Sequence, residues 1–152
     1  MIFIEKIENL AADISEQLVK NAAAGALRHQ SAPEDAELTI VLTDDAQLHA
    51  LNRDYLNVDA PTDVLSFPSD QTDPETGSRY LGDILVSVER AAAQAAGTGH
   101  AVEAEVQLLV VHGVLHLLGH DHAAADERAG MWRAQAEILS NLGLGNIEIR
   151  EG

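Results

Sequence analysis

The sequence predicts an α+β fold in which a small mixed sheet of three to four strands packs against about five helices. Three observations lead to this prediction. The 152 residues are enough for a single domain, 1–152. Strand-like and helix-like segments alternate irregularly along the chain. One helical segment, 101–118, is apolar nearly all round, as expected of a central buried helix.

The first half of the chain contains two predicted helices and two predicted strands. Residues 5 to about 27 place apolar side chains at spacings of three and four, which predicts a helix ending near Gly25. The alternation in ELTIVLTD, 37–44, predicts a half-buried strand. Helical spacing returns over 45–55, and the short β-rich segment DVLSF, 63–67, predicts a second strand.

The second half begins with a polar segment and then becomes strongly apolar. Proline, aspartate, serine and glycine are dense over 68–80, which predicts a surface loop. The segment GDILVSVE, 82–89, predicts a strand with Val88 on its apolar face, and alanine-rich 89–96 predicts a helix. The central helix follows, and an amphipathic pattern over 126–141 predicts the last helix.

Composition restricts the ligands and the partners. Cysteine is absent, so a metal site must use imidazole, carboxylate or backbone oxygen. Nine Lys and Arg against 25 Asp and Glu give a formal charge of -16, which counts against polyanions and predicts no DNA partner. No segment has the uninterrupted apolar length of a membrane span, so we expect a soluble, cytoplasmic protein without a membrane partner.

Four of the seven histidines lie within HGVLHLLGHDH, 112–122. His112 and His116 are four residues apart on a helix and therefore share one face. Gly119 allows the chain to turn back, so that His122 approaches from the other side. The spacing predicts a site for one divalent transition metal per chain, held by His112, His116 and His122. Availability, and not intrinsic affinity, favours zinc.

Three imidazoles leave the fourth tetrahedral position to water, which is typical of catalytic zinc and favours a hydrolase. The spacing is that of metzincin proteases, HExxHxxGxxH, but Gly113 occupies the position of their general base. The ring of His120 should diverge from the other three, which favours a surface or supporting role. His29, His49 and His100 stand alone and are interpreted as solvated.

Three motifs occur in order along the chain: LNRDYLNVDAPTDVLSFP at 51–68, LGDILVSV at 81–88, and the histidine motif at 112–122. Together they resemble the YbeY metal-dependent endoribonucleases, ribosomal RNA maturation factors of bacteria. The resemblance implies an α+β fold, zinc on the histidine trio, and cleavage of single-stranded RNA in 16S rRNA 3′-end processing and ribosome quality control. It also implies rRNA and the 30S ribosomal subunit as partners, with basic ribosomal proteins as further candidates.

The chain departs from the family pattern at cationic positions. The family commonly has arginine directly after the tyrosine of the first motif and often lysine two positions later, where this chain has Leu56 and Val58. Arg53 is then the candidate substrate-binding residue, with Arg79 as a second candidate phosphate contact. His120 replaces the family's usual tyrosine.

The residues that orient the metal ligands remain open among Asp121, Asp83 and Asp126, and the sequence identifies no general base. Two alternative functions also remain. One is a metzincin-like metallopeptidase or amidohydrolase whose base comes from elsewhere in the chain. The other is a non-catalytic ribosome-assembly factor in which zinc is structural.

Overall fold

The computed structural model describes residues 1–120 and 124–145. Within them the chain forms four strands and five helices, which confirms the predicted α+β class. The strands are β1 (Ile2–Lys6), β2 (Glu37–Thr43), β3 (Val64–Pro68) and β4 (Tyr80–Ser87). The helices are α1 (Glu16–His29), α2 (Asp45–Leu56), α3 (Val88–Thr98), α4 (Val102–Leu117) and α5 (Ala125–Asn141).

The four strands form one mixed sheet in the order β1-β2-β4-β3. β1, β2 and β4 are parallel, whereas β3 pairs antiparallel with β4. The register aligns Ile4, Ile40 and Ile84 in one row, with Ser66 of β3 next to Ile84. Because side chains alternate between the faces of a sheet, this row lies on one face. That face carries the main core, and Ser66 lies at its edge.

Helix α4 is central, as its all-round apolar sequence predicted. Ten of its residues are buried, and the helix packs on β3 and β4 and against α1, α3 and α5. A smaller apolar cluster on the other face of the sheet joins α2 to β3 and β4 through Leu48, Leu65 and Leu85. The two clusters hold α2 on one face of β3 and α4 on the other. This strand therefore lies between the two helices.

The predicted helix over residues 5–27 is wrong in its first half. Residues 2–6 form β1, whose half-buried Ile2 and Ile4 alternate toward the core. Asn9 has a φ of 60°, which ends the extended segment, and α1 begins only after Ser15, whose side chain accepts a hydrogen bond from Leu18 N–H at 3.3 Å. Pairing with β2 stabilises this strand, and the paired residues, such as Ile2 and Leu38, are 36 positions apart along the chain.

Two further boundaries differ from the prediction. Helix α1 continues past Gly25 to His29, and Leu142 packs over Gly25, with its Cδ2 3.4 Å from the position of an added Cβ. Val88 is the first residue of α3, since the Ser87 hydroxyl caps that helix by accepting from Arg90 N–H at 3.1 Å. In the described part of the chain, no helix combines the length and apolar content needed to cross a membrane.

Candidate metal centre

Two of the three predicted metal ligands converge at the end of α4. His112 Nε2 and His116 Nε2 lie 3.0 Å apart, with ring centroids 4.6 Å apart and planes at 72°. Spacing of four residues along one helix places both rings on the same face. The separation is small enough for both nitrogens to bind one ion, so this pair has the donor chemistry of a transition-metal site.

His122, the third predicted ligand, lies outside the described residues, as does Asp121. Over 1–120 and 124–145, no group of three or more His, Cys, Asp or Glu side chains is arranged so that it could hold a metal ion. The turn that leads toward His122 is nevertheless described. Gly119 has a φ of 101°, Gly119 N–H donates to His116 O, and His120 N–H donates to Leu115 O, both at 3.0 Å. These two bonds form a Schellman motif, as the glycine predicted.

Gln135 of α5 contacts the pair and was missed by sequence reasoning. Its side-chain oxygen lies 3.0 Å from His112 Nδ1, and the residue is 1% exposed. Trp132, three residues earlier, brings its ring centroid to 6.0 Å from that of His112. A polar residue on the apolar face of an otherwise amphipathic helix was the available signal. Gln135 adjoins Ala134 and lies three positions before Ile138, both of which are buried.

A cleft of about 390 Å³ opens beside the two histidines. α2, the segment before β3, β3 itself, α4 and α5 all contribute to its walls. Among the described residues that line it, Asp63 is the one carboxylate, and none is Lys or Arg. Gln94 Nε2 donates a hydrogen bond of 3.3 Å to Asp63. The cleft therefore combines paired imidazoles, one carboxylate and an apolar lining. This combination is typical of a small ligand-binding site beside a metal ion.

Packing explains why position 113 is glycine and not the glutamate of the protease motif. A Cβ on Gly113 would lie 2.7 Å from Ile84 Cγ2, so the central helix can approach the sheet only through this glycine. Ser66 Oγ donates to Gly113 O at 3.2 Å in the same contact. A glutamate at position 113 would therefore clash with Ile84 of the sheet from its Cβ onward.

Three aspartates were candidates for orienting the histidine rings. The two that the structure describes, Asp83 and Asp126, lie elsewhere. Asp83 accepts a hydrogen bond from Tyr80 Oη, and burial together with this bond raises the pKa of Tyr80. Asp126 lines a separate depression with His120. Among the described side chains, Gln135 contacts the pair through an amide oxygen, and Asp121 lies outside the described residues.

The cationic candidates lie away from the cleft lining. Arg53, on the last turn of α2, is exposed and donates from Nε to Asp54 at 3.0 Å, and Arg79 is exposed in the loop before β4. Leu56, which stands where the family has arginine, lines the cleft and is 51% exposed. The role of Arg53 stays a prediction.

The remaining histidines each contact another side chain. His120 Nε2 donates to Gln30 at 2.6 Å, which turns its ring from the metal pair toward the end of α1. His29 and His49 pair with Glu137 and Asp59 at 2.6 Å and 2.7 Å. His100 was wrongly predicted to be solvated: it bonds at 2.8 Å to Glu105, a fully buried carboxylate in the first turn of α4.

Comparisons with known proteins agree with this fold and motif set. The family model described as endoribonuclease YbeY matches residues 3–143. A relative from Roseiflexus castenholzii with that name is 45% identical, covering 100% of this chain and 96% of its own. Another from Chloroflexus aurantiacus is 46% identical, covering 94% of this chain and 96% of its own.

The fold has a solved counterpart. The solution structure of a Thermotoga maritima protein aligns with a TM-score of 0.59 at 22% identity, covering 96% of this chain and 94% of that one, and supports the fold alone. The sequence matches extend over nearly the whole chain and include all three motifs. The chain therefore belongs to the YbeY family of endoribonucleases.

Proposed function

We propose that this chain, acting as a single domain over 1–152, is a zinc-dependent endoribonuclease specific for single-stranded RNA. We further propose that it acts in the cytoplasm on the 30S ribosomal subunit, in 16S rRNA 3′-end maturation and ribosome quality control. The observation that supports this most is the 3.0 Å approach of His112 Nε2 and His116 Nε2 at the wall of the cleft. His122 would complete the metal site.

The donor set suits zinc. Neutral imidazole is a preferred zinc ligand, and three imidazoles on one ion leave a position open for chemistry. When the His112 ring is neutral, its contact with the Gln135 oxygen places the proton on Nδ1 and leaves the lone pair on Nε2, as zinc binding requires. When bound, the ion would polarise a phosphoryl oxygen and acidify a water.

The chain's own residues supply the rest of the proposed reaction. Asp63 would accept a proton within the cleft, since it is the one carboxylate among the described lining residues. Leu108 and Leu109 form an apolar wall that excludes water from one side of the scissile phosphodiester. The nucleophile is either water or the ribose 2′-OH. A product ending in 2′,3′-cyclic phosphate would establish the ribose route, and a 5′-phosphate product would exclude it.

The decisive experiment measures metal content and RNA cleavage together in the wild type and His116→Ala, on a fragment carrying the 16S rRNA 3′ end. We expect about one zinc per wild-type chain. His116→Ala should remain folded while losing zinc and cleavage. His49→Ala is the matched control, because this exposed histidine pairs with Asp59 outside the cleft. It should keep both properties.

Other outcomes would favour the alternative functions. Zinc bound without RNA cleavage, combined with chelator-sensitive digestion of an unstructured protein, would identify a metallopeptidase. An assembly factor with structural zinc predicts instead that removing the metal unfolds the protein, and that rRNA processing follows protein abundance alone. A wild type that binds no metal would contradict the proposed site altogether.

A further inference from the structure

We propose that Gln135 is a positioning residue that fixes the ring of His112 so that Nε2, and not Nδ1, faces the metal ion shared with His116. The proposal rests on the metal site of the proposed function. It concerns a side chain on α5, outside the histidine motif, that reaches the end of α4 across the core.

The first step concerns which nitrogen of the His112 ring carries the proton. A neutral imidazole carries one N–H, and either nitrogen can hold it. An amide oxygen only accepts, so the 3.0 Å contact with Gln135 Oε1 places the proton on His112 Nδ1. The lone pair then lies on Nε2, the atom that is 3.0 Å from His116 Nε2. One hydrogen bond thus selects both the ligating nitrogen and its direction.

The second step is the rigidity of the acceptor. Gln135 is 1% exposed, and the neighbouring α5 residues Ala134 and Ile138 are 6% and 1% exposed. Water therefore has little access with which to compete for the amide oxygen. Trp132 lies on the same face of the helix, three residues earlier, and its ring also approaches His112. α5 consequently contacts the His112 ring with two side chains.

The third step concerns charge. Metal-bound histidines often donate to a carboxylate, which orients the ring and also increases its donor strength. An amide orients the ring without adding negative charge to the site. Gln135→Glu should therefore keep the orientation and tighten metal binding, whereas a side chain of similar length without an oxygen should lose the orientation.

The test compares Gln135→Met, which has nearly the shape of glutamine, with Gln135→Glu in the full-length protein. Gln107→Met is the matched control, since Gln107 is also buried, at 6% exposure, but lies outside the cleft and bonds to Glu103 O. The zinc dissociation constant is measured by competition with a chromophoric chelator. We expect Gln135→Met to weaken binding about 10–100-fold. The control should bind as the wild type does, and Gln135→Glu more tightly.

A second measurement separates orientation from loss of packing. In the zinc-loaded protein, hydrogen exchange of His112 Nδ1–H, followed by 1H–15N NMR, should be faster in Gln135→Met and unchanged in Gln107→Met. A folded Gln135→Met with the wild-type dissociation constant and exchange rate would overturn the proposal. If Gln135→Met does not fold, Gln135→Glu decides, and zinc binding no tighter than in the wild type would overturn it.

These measurements need no RNA, which separates the two proposals. A wild type that binds zinc through a Gln135-dependent site but cleaves no RNA would contradict the nuclease and leave the positioning role in place. A wild type that cleaves RNA while Gln135→Met keeps full zinc affinity would overturn the positioning role alone. A wild type that binds no zinc would overturn both.

Discussion

At the scale of single residues, the described side chains that line the cleft include no lysine or arginine. Leu56 stands at its edge, half exposed, where the family commonly has arginine. Among the described lining residues, polar chemistry comes from the histidines, Gln135, Asp63, Thr62 and Ser66. A phosphodiester entering this cleft would therefore meet no guanidinium from these side chains.

Restoring the family arginine should therefore strengthen RNA binding. Leu56→Arg places one guanidinium at the cleft edge, and one added phosphate contact should raise the slope of log Kd against log salt for single-stranded RNA by about 0.7. Val58→Arg is the control, because Val58 is similarly exposed, at 48%, but does not line the cleft. Equal slopes for the two variants would assign the effect to net charge alone.

Asp63 should matter for cleavage and little for metal binding. Removing a general base typically costs about 10²–10⁴-fold in rate, and we expect a loss in that range for Asp63→Asn, measured as single-turnover RNA cleavage at saturating zinc. Asp59→Asn is the control, since Asp59 is exposed and pairs with His49. Cleavage by Asp63→Asn within a few-fold of the wild type would exclude Asp63 as the base.

At the scale of elements, the approach of α4 to the sheet positions the histidines. Gly113 lies between the two histidines in sequence and contacts Ile84, so the helix face next to the histidines is fixed against β4. Ser66 of β3 binds the Gly113 carbonyl at the same place. The close contact leaves the histidine face toward the cleft.

Gly113→Ala should destabilise the protein although alanine favours helices. The added methyl would lie 2.7 Å from Ile84 Cγ2, and overpacking of this kind costs about 1–3 kcal/mol. Gly130→Ala is the control, because Gly130 lies inside α5 with nothing within 4 Å of an added Cβ. It should stabilise by up to about 1 kcal/mol. Urea denaturation measures both, and stabilisation by Gly113→Ala would contradict the close contact.

The start of α4 depends on a buried polar pair. His100, in the segment between α3 and α4, bonds to Glu105 at 2.8 Å, and Glu105 is fully buried. Removing His100 takes a partner from a buried carboxylate, so His100→Ala should lower the free energy of unfolding by about 1–3 kcal/mol. His49→Ala removes an exposed pair and should cost much less. Equal costs in urea denaturation would disprove a special role for the buried pair.

At the scale of the whole molecule, the charge of -16 opposes the approach of RNA. The cationic candidate Arg53 pairs with Asp54. RNA binding must therefore depend on short-range contacts in the cleft more than on long-range attraction.

This balance predicts an unusual response to salt. The association rate constant for single-stranded RNA should rise as ionic strength increases from about 0.02 M to about 0.15 M, because screening weakens the repulsion. Stopped-flow fluorescence with a labelled oligonucleotide measures it. A rate constant that falls steeply over this range would mean that a local cluster of cations outweighs the net charge.

The sequence by itself determined the fold class, the central helix, the histidine pair and the glycine turn. Each depends on local spacing: apolar residues all around a helix, a four-residue interval between histidines, and a residue that tolerates positive φ after Leu118. The three motifs also identified the family before the fold was known.

Only the tertiary structure decided the features whose partners are distant in sequence. β1 forms because β2 lies beside it, although residues 5–15 alone show a helical spacing. His112 meets Gln135 across 23 positions, and Ser66 meets Gly113 across 47. Spacing along one element fixes which residues share a face, but the packing of two elements fixes which faces meet. For that reason the contact of Gln135 with His112 emerged only from the structure.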